Sequence, residues 1–129
     1  MSDGSKELEI QLCGIDAPET EQPLGLESRD HLKALIDQGD GGIVLVKAGS
    51  ARNGHTVAEA FVLTGREDEP EIHLNSEMLM IGMAYLEPAF VDTCSNDHLF
   101  AVAEGVAKEQ TVGVWALTDP EKSWEYRAQ

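Results

Sequence analysis

Basic side chains are scarce in this chain relative to acidic ones. Nine Lys plus Arg stand against 24 Asp plus Glu among 129 residues, a formal net charge of −15. Nucleic-acid binding rests largely on neutralising phosphates with Lys and Arg, so a field this negative disfavours a polyanionic partner. The few candidates for a local basic patch against that mean are Lys47, Arg52 and Arg66, scattered among acids. Cysteine is scarce as well. Cys13, in a predicted strand, and Cys94, in a predicted loop, make neither a disulfide framework nor a Cys-x-x-Cys pair. They are read as two free thiols in a reducing compartment. No apolar run approaches the roughly 20 residues that cross a bilayer, which argues against a membrane protein. The opening residues, Met1 to Glu9, hold no basic segment followed by an apolar stretch. No signal peptide is therefore visible, and a cytoplasmic setting is favoured. Repeats and low-complexity linkers are absent, and the length suits one core, so residues 1–129 are read as a single domain.

What is present is most concentrated at Gly14-Ile15-Asp16-Ala17-Pro18-Glu19-Thr20. Two carboxylates three positions apart flank a proline at the exit of a short apolar run, Ile10 to Cys13. A proline-stiffened loop lowers the entropy of holding Asp16 and Glu19 toward one hard cation. Paired acids beside proline are also common in ordinary turns, and both readings stand at this point.

The remaining pattern predicts an α+β fold. Glu9 to Cys13 alternates as a strand. Leu26 to Asp37 reads as a helix, with Leu32, Leu35 and Ile36 on one face and Gly39 past its end. Gly42 to Lys47 is a continuous apolar strand, and Thr56 to Leu63 a second after the Arg52-Asn53-Gly54 turn. Glu67 to Pro70 is an acidic loop and Glu71 to Leu74 a short strand. Asn75 is expected to cap a helix reaching about Ile81. Leu99, Val102, Ala103, Val106 and Ala107 mark a third helix. Met78, Met80 and Met83 are read as core, and Trp115 and Trp124 as packed or on the surface. His31 and His73 are expected at the surface and His98 in the first turn of the third helix. The four histidines show no metal-ligand spacing, and neither Ser50 nor Ser76 has a His and Asp setting that suggests a nucleophile.

These segments resemble, in order, the staphylococcal nuclease family. The Gly14–Thr20 motif is similar to its signature. Gln22-Pro23-Leu24-Gly25 resembles the opening of its first helix. Gly54-His55-Thr56-Val57-Ala58 sits where the family has Gly-Arg before a strand. Leu74-Asn75 through Gly82-Met83-Ala84 resembles its second helix, and Ala103, Ala107, Lys108 and Gly113-Val114-Trp115 its closing helix and Gly-x-Trp ending. The resemblance implies a small five-stranded OB-type barrel with three helices. Only about nine residues precede Ile10, so the family's usual first strand, with its Asp-Gly-Asp-Thr end, is expected to be missing; Asp3-Gly4-Ser5 resembles it faintly. The barrel is then expected to be open, with an edge that invites pairing between copies.

The resemblance also implies a chemistry: calcium-dependent phosphodiester cleavage, with a glutamate that activates water and two arginines on the phosphate. Asp16 matches the metal-ligand aspartate and Glu19 the glutamate, itself close to the metal. The arginine expected five residues before Asp16 falls on Gln11, and the one expected after the later Gly falls on His55. The third metal-side aspartate has no clear counterpart. A guanidinium on a transferring phosphoryl group is worth roughly 10³–10⁵ in rate. Gln11 donates a neutral hydrogen bond only, His55 brings an imidazole that is cationic only when protonated, and Arg52 in the same turn is a further substitute. The expectation is a nuclease scaffold with weak or lost activity serving as a binding module, calcium held weakly if at all. The alternative is an active calcium-dependent endonuclease acting on DNA or RNA.

Overall fold

The computed structural model describes residues 9–40, 42–48, 55–88 and 93–128. Elements run β1 (Ile10–Leu12), β2 (Ile15–Asp16), α1 (Gly25–Asp37), β3 (Gly42–Lys47), β4 (Thr56–Leu63), β5 (Glu71–His73), α2 (Leu74–Met80), β6 (Tyr85–Leu86), α3 (Asp97–Gln110), a 3-10 turn (Gly113–Ala116) and α4 (Ser123–Arg127).

β4 organises the sheet. Its one edge carries antiparallel β3 along its length, from Gly42 opposite Leu63 to Lys47 opposite Ala58. Its other partners divide the strand between them. Parallel β1 takes Thr56 to Ala58, and antiparallel β5 takes Phe61 to Leu63. A strand covered on both faces and paired all round reads as a near-continuous apolar run, which is how Val57-Ala58-Glu59-Ala60-Phe61-Val62 reads apart from Glu59. β3 differs from its sequence reading. Its run is apolar throughout, yet only Ile43 and Leu45 pack on the core, while Val44 and Val46 are exposed. Among the described residues it pairs with β4 alone. β2 pairs with β6 in a separate two-stranded ribbon.

Among the described residues the strands do not close into a barrel, and four α-helices stand where three are expected; α4, at the tail, is the addition. Whether a first strand is lacking falls on residues outside those described, as do Asp3-Gly4-Ser5, Ser50 and Arg52. α2 and α3 pack on each other, with Met78 and Leu79 of α2 and Phe100 and Ala103 of α3 in the main core. Met80, by contrast, is exposed, and so are Leu99 and Val102, so the face α3 buries is that of Phe100, Ala103 and Ala107. Gly82 and Gly113 meet where α2 ends and α3 has turned back. A Cβ on Gly113 would lie 2.1 Å from the Gly82 carbonyl oxygen, and both glycines have positive φ. The Gly-x-Ala and Gly-x-Trp segments thus mark one close backbone crossing.

Two sequence expectations fail here. Cys13 and Cys94 form a disulfide, with Cα atoms 5.9 Å apart across 81 residues of sequence. Two cysteines that far apart give no spacing signal, because the fold alone brings the end of β1 to the entry of α3; the argument for a reducing compartment goes with the free thiols. Asn75 does not cap α2. It lies inside the helix, fully buried, accepts from the Ala60 amide at 3.0 Å and donates to the carbonyls of Cys13 at 2.9 Å and Ala58 at 3.4 Å. It closes the gap where β1 leaves β4.

Candidate functional site

The loop after β2 is fixed from three sides. Its own turn places the Gln22 amide on the Glu19 carbonyl at 2.9 Å, and the Gln22 side chain accepts from the Glu19 amide at 2.8 Å. α1 presses on it from behind. A Cβ at Gly25 would fall 1.9 Å from the Glu19 carbonyl oxygen, so only glycine lets the helix start this close. The C-terminal segment covers the front. Ser123 donates to the Ala17 carbonyl at 2.7 Å, and Gln22 Nε2 donates to the Glu121 carbonyl at 2.9 Å. Trp124 packs edge-on against Tyr85, whose backbone pairs with Asp16. Lys122 lies 5.7 Å from the Tyr85 ring centre and 5.9 Å from that of Trp124.

This anchoring carries Arg127 onto the two carboxylates. Its Nη2 lies 2.5 Å from Asp16 Oδ2, and its Nη1 donates to Asp16 Oδ1 at 3.2 Å and to Glu19 Oε1 at 2.7 Å. A planar fork across both oxygens of one carboxylate is the strong form of this interaction. Hydrogen bonds to Asp16 first, and then to Glu19, hold the guanidinium's pKa above its ordinary value against the opposing effect of burial. Asp16 is mostly buried, Glu19 and Arg127 about half so.

The other expected residues are placed less closely. Gln11, in β1, lines with Asp16, Thr20 and Arg29 a cavity of about 360 Å³ between β1, the loop and α1. His55 stands just before β4, partly exposed, with its Nε2 3.4 Å from Oε2 of the exposed Glu9. Arg52 lies outside the described residues. The structure therefore joins Asp16 to Glu19, and Gln11 to the same cavity, while the cation at the carboxylates is one the sequence reading missed. Arg127 sits in a five-residue helix, too short for hydrophobic periodicity, and its bond to Asp16 spans 111 positions.

Calcium takes about six to eight oxygen ligands. Asp16 and Glu19 are donors of the right hardness, but among the described residues no three acidic, imidazole or thiol groups gather around one point. Both Asp16 oxygens and Glu19 Oε1 already accept from a guanidinium. The residues described do not make a calcium cage.

A second polar cluster was also missed. Glu59, fully buried in β4, accepts from Nε2 of His73 at 2.8 Å, from the Asn96 amide at 3.1 Å and from Asn96 Nδ2 at 2.8 Å. His73 Nδ1 accepts from Ser76 Oγ at 2.9 Å, and its ring stacks on Phe61 at 4.6 Å and tilts against Phe100 at 5.6 Å. His73 is thus packed rather than exposed as expected, and Ser76 does have a histidine and a carboxylate in line with it. A neutral ring with its proton on Nε2 satisfies both contacts. Burial lowers the His73 pKa from its ordinary value, with Glu59 opposing that shift. The cluster ties β4, β5, α2 and the α3 entry together. Of the remaining histidines, His31 is exposed and His98 lies in the first turn of α3, as expected.

With this geometry in view, the comparisons give the class. The profile of the family described as "Staphylococcal nuclease homologue" matches residues 9–117, and this chain belongs to that family. Its relatives include an "Uncharacterized endonuclease" of Haemophilus influenzae, 27% identical over 129 residues, covering 100% of this chain and 65% of that protein. Another is "Staphylococcal-like nuclease CAN1" of Arabidopsis thaliana, 32% identical over 123 residues, covering 95% of this chain and 34% of that protein. An "Uncharacterized endonuclease" of Escherichia coli is 26% identical over 125 residues, covering 97% and 74%. The chain thus spans just under two thirds of the first relative and about a third of the second. Arg127 lies beyond the residues the family profile matches.

Proposed function

We propose that this chain is a nuclease-family phosphodiesterase scaffold in which hydrolysis is weak or lost, retained as a binding module. One observation carries the reading: the two carboxylates that match the family's metal ligand and glutamate are clasped by Arg127. Phosphoryl transfer needs positive charge aimed at the non-bridging oxygens of the substrate, and removing one such donor costs on the order of 10²–10³ in rate. Here Gln11 and His55 stand at the expected arginine positions, and His55 faces Glu9. The net charge of −15 adds a repulsive field against a nucleic-acid strand. The exposed β3, which among the described residues pairs with β4 alone and turns Val44 and Val46 outward, is the surface this reading offers for strand pairing with a second copy.

The test is cleavage of single-stranded DNA and RNA by purified protein with millimolar calcium, run beside sedimentation at rising protein concentration. Little cleavage, unchanged by Glu19→Gln, together with self-association, is the expected result. A second reading, an active calcium-dependent endonuclease, is favoured by the convergence of Asp16 and Glu19 on one point. Cleavage that disappears with chelator and with Glu19→Gln would establish that reading and overturn the first.

A further inference from the structure

We infer that two copies of this chain join through β3, antiparallel about a two-fold axis centred on Leu45. This rests on the strand-pairing part of the proposed function and deepens it by fixing the partner and the register. The ladder on β4 shows which groups of β3 are available. The Ala48 amide donates to the Val57 carbonyl at 2.9 Å, so that opposed pair is a hydrogen-bonded one. Bonded and non-bonded pairs alternate along an antiparallel ladder. Val46 opposite Glu59 and Val44 opposite Phe61 are therefore bonded pairs, and the amides and carbonyls of Ile43, Leu45 and Lys47 point away from β4. The far side of β4 keeps the same alternation. Ala60 gives its amide to the Asn75 side chain and Ala58 accepts from the Cys13 amide, both away from β3. Among the described residues β3 has no second strand beside it, and a row of unpaired groups is a template for another chain.

Centred on Leu45, the shared ladder sets Leu45 opposite its symmetry mate and Ile43 opposite Lys47 of the second copy. Every outward amide and carbonyl of β3 is then used. Between them, Val44 of each copy meets Val46 of the other at non-hydrogen-bonded positions, where opposed side chains come closest. The two exposed valines thus cover each other. Charge fits the same register. α1 ends at the exposed Asp37 with no basic residue in its last turn, so a carboxylate adds to the negative end of the helix dipole. Ile36 of that turn lines an apolar cavity of about 250 Å³ together with Ile43 and Leu45. The exposed Lys47 of the second copy, opposite Ile43, lays its stem along this rim and brings its ammonium to the end of α1. Symmetry makes the contact twice. A ladder centred on Val44 instead sets Val44 against Val44 and carries Lys47 past Ile43.

Hydrogen exchange of the parent at rising protein concentration, with sedimentation of the same samples, tests this. Protection is expected to grow with concentration at the Ile43, Leu45 and Lys47 amides, while the Val44 and Val46 amides, bonded to β4, stay protected throughout. Val44→Glu, at an exposed position, is expected to weaken association about tenfold, because symmetry repeats each lost cross-strand pair. Adding Val46→Lys to the same chain is expected to restore most of it, since position 44 of each copy faces position 46 of the other. Adding Val102→Lys instead, at an exposed position of α3, returns the same charge and is expected to restore nothing. The exchange measurement stands if a variant fails to fold. No self-association, or protection of the three amides that ignores concentration because residues 1–8 of the same chain cover the edge, would overturn the inference. So would a Val46→Lys addition that rescues no better than Val102→Lys. Self-association that Val44→Glu leaves unchanged would overturn this interface and sustain the binding-module reading. Calcium-dependent cleavage beside the expected exchange pattern would overturn the weak-scaffold reading and sustain the interface.

Discussion

Glu59 shows how a single residue can depend on partners that its sequence neighbours do not reveal. It interrupts an apolar strand at a position with no exposure, where an unpaired carboxylate would cost several kcal/mol. It is tolerated because three donors meet it, one of them His73. That pairing has a pH signature. Burial lowers the folded-state pKa of His73 below its ordinary 6.5, so the unfolded chain takes up this proton first as pH falls. The stabilising contribution is complete above pH 6.5 and is lost as pH drops from there through the lowered folded-state value. The unfolding midpoint of the parent should fall more steeply between about pH 7 and pH 5 than that of His73→Gln. Parallel slopes would show that the ring is not held neutral.

Elements follow the sequence closely where they are long, and the two-residue strands β2 and β6 and the helix α4 gave no signal. Strands β3 and β4 match their expected bounds, Gly42 to Lys47 and Thr56 to Leu63, because each is a run made mostly of apolar and β-branched residues. α1 begins at Gly25, one residue before its expected start, and ends at Asp37 as expected. α4 gave no signal, since five residues hold barely more than one helical turn. The cystine was equally hidden, and it joins two elements that meet only in the folded chain: the end of β1 and the entry to α3. Cross-linking across 81 residues removes much of the freedom of the unfolded chain. Reduction is expected to lower the unfolding free energy by about 2–4 kcal/mol, read from denaturant midpoints with and without reductant. An unchanged midpoint would mean that the bridge adds nothing to stability.

Across the whole molecule, the family and the α+β class were legible because they rest on ordered motifs spread over most of the chain. The site was legible in part. Asp16 and Glu19 announce themselves by local spacing around a proline, whereas their guanidinium partner is more than a hundred positions away and is visible only once the tail is docked. Counting arginines at the expected positions found none. It had no means of seeing that positive charge returns to the same carboxylates from the opposite end of the sequence. With 24 acidic against nine basic side chains, committing one of the few guanidiniums to this pair sets the local chemistry. The state of that side chain is therefore the point to measure. Nitrogen-resolved NMR of the Arg127 guanidinium, in calcium-free buffer at neutral pH, should give separate, slowly exchanging Nη resonances that collapse to the averaged signal of a free arginine in Asp16→Asn. An averaged, fast-exchanging signal in the parent would contradict the account.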